Sequence, residues 1–296
     1  MKKEYDFTNG EQVYKLIIKS IFDDFDSFFI EKKHEKYRYV FDKKDELKVY
    51  RSGSKSYLNI PEDTKFLDLD RDDEKVYLLF LIGHEMAHLV NKHLNYKDKN
   101  SLDSRSIEMW ADFFGAKISM SILLNNGNFK QLINSDLSNM NNGIELLSYM
   151  LKKINKIYKN TNKSDKYLHS NIRLASTISG IMSYLTRDEM WRIKNFSDDS
   201  HAKIGTEWAM SISLKLSKIG TFDNILEEKN EYNIYNINLN VVKIHQEIKD
   251  GRKGYLIKGL KNYYNFILDS SYKEYKQNTL LVDKVNKICQ ELSIKR

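Results

Sequence analysis

The pattern of apolar and polar positions predicts a helix, then several short strands, then a long series of helices. Apolar residues recur at helical spacing over residues 10–32, which predicts an amphipathic helix. The segments KYRYVFD, LKVYRSG and SKSYLNIP that follow are short, rich in Val, Tyr and Ile, and separated by turn signals at 43–45 and 52–54. They predict a small antiparallel sheet.

Beyond residue 70 the pattern is helical. An acidic stretch leads into the apolar helix VYLLFLIGHEMAHLVNKHL, and a second helix covers about residues 102–124. The polar stretch NNGNF after residue 124 is the best candidate for a boundary, so we expect a core at 1–125 and a helical region at 126–296 packed on it, as a candidate for substrate recognition. Further helices are predicted at about 142–159, 167–186, 201–218, 236–250 and 270–293.

Composition favours a helix-rich protein of a reducing compartment. The 296 residues suffice for one large domain or two modest ones, and one Pro and 12 Gly leave the helices rarely interrupted. The single Cys289 rules out an intramolecular disulfide framework. The amino-terminal MKKEYDFTNG lacks the apolar stretch of a signal peptide, and the apolar run at 76–83 is too short to cross a bilayer. We therefore expect a cytoplasmic protein without a membrane segment.

The net charge of +7 is unevenly distributed. Residues 1–125 carry 21 basic and 23 acidic side chains, a balance of −2, whereas residues 126–296 carry 27 and 18, a balance of +9. A basic second half suits an acidic protein partner or a polyanion such as nucleic acid. The alternative is a Lys-rich helical surface exposed to solvent.

The apolar helix is interrupted by three ionisable residues, His84, Glu85 and His88, in the pattern HExxH. Histidines four residues apart lie on one face of a helix, one turn apart, where both can hold a single Zn²⁺. Glu85 is then placed to act as the general base on the attacking water. The alternative is a pair of core histidines bonded to carbonyl groups, with Glu85 at the surface. Ionisable groups within so apolar a helix favour the metal site.

A catalytic zinc site needs a third protein ligand. The pattern HExxHxxGxxH does not supply it, because position 91 is Asn and His93 comes one residue too early. A better candidate lies on the next helix, where the sequence reads Glu-x-x-Ala-Asp: Glu108 would be the third ligand. Asp112, one turn on, would accept a hydrogen bond from the second nitrogen of a ligating histidine and fix its tautomer.

HExxH followed by Glu-x-x-Ala-Asp on the next helix resembles the gluzincin metallopeptidases. Within that group the chain looks most like the Lit-type phage-exclusion peptidases: HEMAHLVNKH (84–93) matches their HExxH with a further His five residues on, and EMWADFFGAKI (108–118) matches their glutamate helix. The order of the predicted elements is that of an α+β fold, mostly α, and the resemblance implies a small sheet, an active-site helix and a glutamate helix. The small sheet would be antiparallel, and a helical C-terminal half would follow.

Related peptidases carry a His-Pro…Arg segment on a later helix, and LHSNIRLAST at 168–177 resembles it, although His169 lacks the Pro and Arg173 follows sooner. By this resemblance His169 would stabilise the oxyanion and Arg173 would pair with a site carboxylate, as additional catalytic residues. The alternative is the start of a helix with His169 exposed and Arg173 in a surface ion pair.

The resemblance implies zinc-dependent hydrolysis of peptide bonds, in which Glu85 moves a proton from water to the leaving amine. An extended substrate would lie along the sheet edge around residues 57–60. Other divalent ions could use the same ligands. The Lit-type resemblance implies phage defence, with a translation factor as a candidate target cut only upon infection. The basic second half adds that the substrate is an acidic cytosolic protein.

Two alternatives remain open. One is cleavage of a transcriptional repressor in the manner of the ImmA/IrrE proteins, although no helix-turn-helix accompanies the motif. The other is a non-catalytic protein in which the basic half binds nucleic acid or protein and the metal is structural. Three protein ligands with an intact Glu85 argue against it, because structural zinc sites normally have four ligands rich in Cys.

Overall fold

The structure is a computed structural model that describes residues 10–27, 38–42, 46–52, 55–62, 67–97, 99–124, 127–137, 139–161, 166–185 and 234–248. In chain order the helices are α1 (Gly10–Asp26), α2 (Asp72–Val90), α3 (Ser101–Leu124), α4 (Asn128–Gln131), α5 (Met140–Thr161), α6 (Ser170–Ser183) and α7 (Ile234–Glu247). The strands are β1 (Arg38–Asp42), β2 (Lys48–Ser52) and β3 (Lys55–Pro61), and a 3-10 turn spans His93–Asn95. The predicted α+β, mostly helical fold class is confirmed.

The three strands form a mixed sheet in the order β1-β3-β2. β2 pairs antiparallel with β3, as predicted, with Val49 opposite Leu58. β1 pairs parallel with β3, with Arg38 opposite Tyr57, so the prediction of a purely antiparallel sheet is wrong for this strand. The reason is the order of the strands in the sheet. The direction of the chain alternates from β1 to β2 to β3, and β3 lies between β1 and β2 instead of beyond β2. Hence β1 and β3 run the same way.

Helices α2 and α3 form the centre of the fold. α2 packs against α3 and α5, and α3 packs in addition against α6 and α7. α2 is apolar nearly all round, which is the pattern of a helix covered on several sides. Its Val76, Leu79 and Ile82 are fully buried. The sheet lies beside the same helix, with β2 and β3 both in contact with α2.

The two central helices approach each other very closely at Gly83 and Gly115. A Cβ on Gly115 would lie 2.6 Å from Cα of His84 and 2.7 Å from its backbone nitrogen. A Cβ on Gly83 would lie 2.0 Å from Oγ of Ser119. Because neither glycine has a side chain, α2 and α3 can pack with their backbones in contact, and this contact lies at the first histidine of the HExxH motif.

Several predicted helices in the second half are present. The predictions at 142–159, 167–186 and 236–250 correspond to α5, α6 and α7, with boundaries shifted by a few residues. The helices predicted at 201–218 and 270–293 lie outside the described residues. The division at residue 125 stays a prediction. Within the described part of the chain, none of the helices is both long and apolar enough to cross a membrane.

Candidate metal centre

Three side chains from the central helices converge on one point. His84 Nε2 lies 3.2 Å from His88 Nε2 and 3.4 Å from Glu108 Oε2. His88 Nε2 lies 3.7 Å from Glu108 Oε1. Tetrahedral bonds of about 2.0–2.1 Å to zinc separate neighbouring donor atoms by about 3.3–3.4 Å. The His84–His88–Glu108 cluster could therefore hold a metal ion, as the spacing of the two motifs predicts.

The glutamate helix presents its functional residues on one face. Glu108, Asp112 and Gly115 are spaced by four and three residues, so they lie along the side of α3 that faces α2. Gly115 meets the backbone of His84, and this contact fixes how far Glu108 stands from the histidines. The donor separation at the metal centre is thus determined by the packing of two helices.

Asp112 lies against the first histidine of the cluster. Its Oδ1 lies 2.9 Å from His84 Nδ1, and its carboxylate is completely buried. Burial alone would raise the pKa of Asp112, but the charges of Arg173 and His84 outweigh it and lower the pKa to about 2. An ionised Asp112 at this distance favours a proton on Nδ1 of His84, which would leave Nε2 on the side of the cluster. The contact lacks hydrogen-bond geometry, however, and Nδ1 of His84 has no other hydrogen-bond partner among the described residues, so the hydrogen bond expected between them stays a prediction.

Arg173 is brought to the site by α6 and is buried, so the alternative of a surface ion pair is excluded. Its Nε and Nη2 donate to the two carboxylate oxygens of Asp112 over 2.7 and 2.9 Å. Its guanidinium lies 4.0 Å above the ring of Tyr158 and 4.5 Å from that of Tyr167. Arg173 Nη2 is also 3.8 Å from Glu108 Oε2. It therefore positions both carboxylates, and a direct catalytic role stays a prediction.

The positions of Tyr158 and Tyr167 at the site could not be predicted from the sequence. Tyr158 donates its hydroxyl hydrogen to Asp112 Oδ1 over 2.7 Å, from the last turn of α5. Tyr167 lies just before α6. Neither residue belongs to a motif or has a diagnostic spacing, and the chain contains 19 tyrosines, so composition gives no signal for these two.

Burial and the charges of neighbouring groups shift the pKa values of all three members of the cluster. Burial alone would lower the pKa of His84, but Asp112 and Glu108 outweigh it and raise the pKa to about 10. Burial lowers the pKa of His88 to about 4, so His88 is neutral at pH 7. Burial would raise the pKa of Glu108, but the nearby His88 and His84 outweigh it and the pKa is lowered. His88 and Glu108 are therefore in the forms that bind metals, neutral imidazole and ionised carboxylate, whereas His84 carries a proton on both nitrogens at pH 7 and would release the one on Nε2 when a metal binds.

Glu85 lies between the cluster and the sheet. Its Oε2 accepts a hydrogen bond of 2.9 Å from the backbone N–H of Val49 on β2. Burial raises the pKa of Glu85 to about 7. A carboxylate with a pKa near neutral can both accept and release a proton at physiological pH, as a general base and acid must.

The placement of substrate along residues 57–60 is wrong. These residues belong to β3, the central strand, which is paired with β1 on one side and β2 on the other. A central strand offers no edge to an extended peptide. The strand at the edge next to the site is β2, whose Val49 N–H points away from β3 toward Glu85. The sequence could not show this, because strand order leaves no local pattern.

His88 has its own partner on the side away from the cluster. Its Nδ1 lies 2.9 Å from Nδ1 of His93, in the 3-10 turn that follows α2. Nε2 of His93 lies 3.1 Å from Nε2 of His245 on α7. His93 thus contacts a member of the His84–His88–Glu108 cluster and lies outside that cluster itself. His245 was missed, because a lone histidine on an amphipathic helix gives no signal.

His169 caps the N-terminus of α6. Its Nδ1 accepts a hydrogen bond of 3.3 Å from the backbone N–H of Asn171. This is a local structural role, comparable to that of other side chains that bind the open N–H groups of a first helical turn. The oxyanion role of His169 stays a prediction.

Comparison of the chain with protein-family models, with curated proteins and with solved structures finds no match. The resemblance to gluzincin peptidases therefore rests on the residues of the two motifs.

Proposed function

We propose that the protein is a zinc-dependent endopeptidase. The observation that carries the proposal is the cluster of His84, His88 and Glu108 with Glu85 on the same helix as the two histidines. Three donors at tetrahedral spacing leave a fourth position for water or substrate, which is the arrangement of catalytic zinc sites. Structural sites are normally closed by four protein ligands, often Cys.

Zinc is the metal that this donor set favours. Two imidazole nitrogens and one carboxylate oxygen are borderline-soft ligands suited to Zn²⁺, whereas Mg²⁺ and Ca²⁺ prefer sites made wholly of oxygen. Bound there, zinc would lower the pKa of a water molecule and polarise the scissile carbonyl group. Asp112, whose Oδ1 lies 2.9 Å from His84 Nδ1, would align His84 for this.

Glu85 would perform the proton transfers of the reaction. It would take a proton from the attacking water as the oxygen–carbon bond forms, and would deliver it to the amide nitrogen as the carbon–nitrogen bond breaks. Its pKa of about 7 suits both transfers. Arg173 and Asp112 would stay outside the reaction and keep the ligands in place.

An extended substrate would bind along the outer edge of β2. In an antiparallel pair, alternate residues direct their N–H and C=O groups to opposite sides. Since the Val49 N–H points outward to Glu85, its carbonyl and the backbone groups of Arg51 share that direction. Main-chain hydrogen bonds there would hold a peptide next to the general base with little preference for sequence. If Arg51→Pro leaves KM for a cleaved peptide unchanged, this placement is wrong.

The proposed substrate is an intracellular protein of acidic character, and the proposed setting is defence against phage by cleavage of a translation factor. The support is the Lit-type resemblance of residues 84–93 and 108–118 and the basic balance of residues 126–296. Cleavage of a transcriptional repressor is the second candidate. The two differ in their trigger, because a repressor should be cut without phage components.

The test compares the wild type with Glu85→Gln and with Glu11→Gln, a control at an exposed carboxylate on α1. Bound metal would be measured in each purified protein, and new protein N-termini would be mapped in cells expressing each, with and without phage infection. We expect about one zinc per chain in all three proteins. New N-termini should appear with the wild type and Glu11→Gln and disappear with Glu85→Gln.

Two results would contradict the proposal. A wild-type protein without bound metal would remove the metal centre. Bound zinc with the same set of N-termini in wild type and Glu85→Gln, in infected and uninfected cells, would leave the metal but refute the peptidase. Salt-dependent binding of nucleic acid in that second case would favour the non-catalytic alternative.

A further inference from the structure

A row of imidazoles extends from the candidate metal centre into the interior. His88 Nδ1 lies 2.9 Å from His93 Nδ1, and His93 Nε2 lies 3.1 Å from His245 Nε2. The rings of His93 and His245 are nearly parallel, with centroids 5.4 Å apart. His93 and His245 are only 4% and 5% exposed, so water scarcely competes for their nitrogens. The row joins α2, the following turn and α7.

The direction of the hydrogen bonds in the row follows from its metal end. Two imidazole nitrogens at these distances share one proton, because two N–H groups or two lone pairs facing each other would repel. If His88 Nε2 faces a metal, its proton is on Nδ1 and is donated to His93 Nδ1. His93 must then carry its own proton on Nε2 and donate it to His245 Nε2. One arrangement of protons therefore satisfies all three rings.

We propose that His93 and His245 are positioning residues that fix the tautomer and the ring orientation of His88, and so tie metal binding to the docking of α7. The proposal rests on the metal centre of the proposed function. Metal-binding histidines usually donate their second N–H to a carboxylate, a carbonyl group or water. At His84 the nearby carboxylate of Asp112 would have this role, and at His88 two further imidazoles take its place.

The far end of the row is held by further contacts between α7 and α3. Asn240 on α7 donates from Nδ2 to Asp103 Oδ1 over 2.9 Å and to Ser106 Oγ over 3.1 Å. The ring of Trp110 packs edge-on against His245, with centroids 5.2 Å apart. These partners all lie on α3, the helix that carries Glu108. His245 is therefore fixed relative to the third ligand as well as to His88.

The contact atoms allow a sharp choice of variants. His245 accepts through Nε2, and the amide oxygen of a glutamine reaches about the same place, so His245→Gln keeps an acceptor. His245→Phe keeps a ring against Trp110 but has no acceptor. His93→Phe removes both contacts of the row. Leu239→Ala, at a side chain of α7 that is 45% exposed, is the matched control.

The experiment has two readouts on the full chain besides activity. Zinc affinity is measured by competition with a chromophoric chelator, and the tautomer of each imidazole is read from side-chain ¹⁵N shifts after histidine-selective labelling. We expect His93→Phe to lower zinc affinity by about 10–100-fold. His245→Phe should lower it by a smaller factor, and His245→Gln and Leu239→Ala should stay near the wild type. In zinc-bound wild type, His88 should be protonated on Nδ1 and His93 on Nε2.

Several outcomes would overturn the inference. If the ¹⁵N shifts of the zinc-bound wild type show that His93 is protonated on Nδ1, the hydrogen bonds of the row run in the direction opposite to the one proposed. This outcome can be recognised without any variant. Equal zinc affinity in His93→Phe and wild type would show that His88 is held by other means. If His245→Gln lowers zinc affinity as much as His245→Phe does, His245 acts through its packing and not as a hydrogen-bond acceptor. If a second zinc binds per chain and changes the ¹⁵N shifts of His93 and His245, these two residues are metal ligands and not positioning residues. A wild type that binds no zinc refutes the proposed function itself, and the inference falls with it.

Discussion

The contact between the backbones of α2 and α3 makes Gly115→Ala the most informative single substitution. The new Cβ would lie 2.6, 2.7 and 2.8 Å from His84 Cα, His84 N and Gly83 C. These are backbone atoms, so no side-chain rotation can relieve the contact. Ordinary van der Waals contact begins near 3.4 Å, so α2 has to move away from α3 by about 0.8 Å, which is 3.4 minus 2.6.

This shift has a cost in stability and a cost in metal affinity. Overpacking of a close-packed interior costs about 1–3 kcal/mol, and the better helix propensity of Ala returns about 1 kcal/mol. Because the clash is with backbone, we take the upper end and expect a net loss of about 2 kcal/mol. The 3.4 Å between His84 Nε2 and Glu108 Oε2 would become about 4.2 Å, more than tetrahedral zinc spans. Zinc affinity should therefore fall at least about tenfold.

The assay is urea unfolding of the metal-free protein together with a zinc competition titration. The matched control is Gly143→Ala on α5, where an added Cβ meets nothing within 4 Å. It should gain roughly 0.5–1 kcal/mol of stability and keep its zinc affinity. If Gly115→Ala unfolds at the same urea concentration as the wild type and binds zinc equally well, the two helices separate freely and the reasoning is refuted. Lower stability with unchanged affinity would refute only the link to the metal centre.

Three other substitutions test the buried pair of Arg173 and Asp112, the proposed ligand Glu108 and the buried carboxylate of Asp72. Arg173→Met leaves the buried carboxylate of Asp112 without its bidentate partner, so the free energy of unfolding should fall by about 3–5 kcal/mol in urea, and a change under 1 kcal/mol would contradict the buried pair. Glu108→Ala removes one of three ligands and should abolish stoichiometric zinc at micromolar protein by atomic absorption, whereas retained metal would show that Glu108 is not a ligand. Asp72→Asn tests pH dependence: burial alone would raise the pKa of Asp72, but hydrogen bonds from Lys75 and other donors outweigh it and lower the pKa. Because the pKa of Asp72 is lower in the folded than in the unfolded protein, where it is about 3.9, the ionised carboxylate stabilises the fold at pH values above the unfolded pKa. This stabilisation is lost as the pH falls through the folded pKa. The difference in free energy of unfolding between wild type and Asp72→Asn should therefore be constant above about pH 5 and shrink below about pH 4. An advantage that persists unchanged to pH 2 would contradict it.

The parts of the site that sequence reasoning found are those with a local period. His84 and His88 are one turn apart on one helix, and Glu108 and Asp112 are one turn apart on the next. Helix geometry then places each pair on a common face before any tertiary structure is known. Arg173 was identified only as a candidate through a partial motif, and its burial against Asp112 depends on how α6 packs.

The parts that were missed depend on long-range packing. Val49, Tyr158 and His245 approach the site from three different elements, and His245 is 152 residues away from its partner His93 in the chain. No spacing rule connects such positions. The order of the strands is hidden for a similar reason, because the alternation that identifies a strand does not say which neighbours it will have.

The indole of Trp110 gives the protein an optical reporter at its centre. It lies two residues after Glu108, the proposed third ligand, stacks on Phe114 with nearly parallel rings, and meets the edge of His245. Tryptophan emission responds to the charge and polarity of groups in contact with the ring. With Trp191 and Trp208 replaced by phenylalanine, the emission of the remaining tryptophan would follow the loading of the metal centre in real time, without a label, a cofactor analogue or a known substrate.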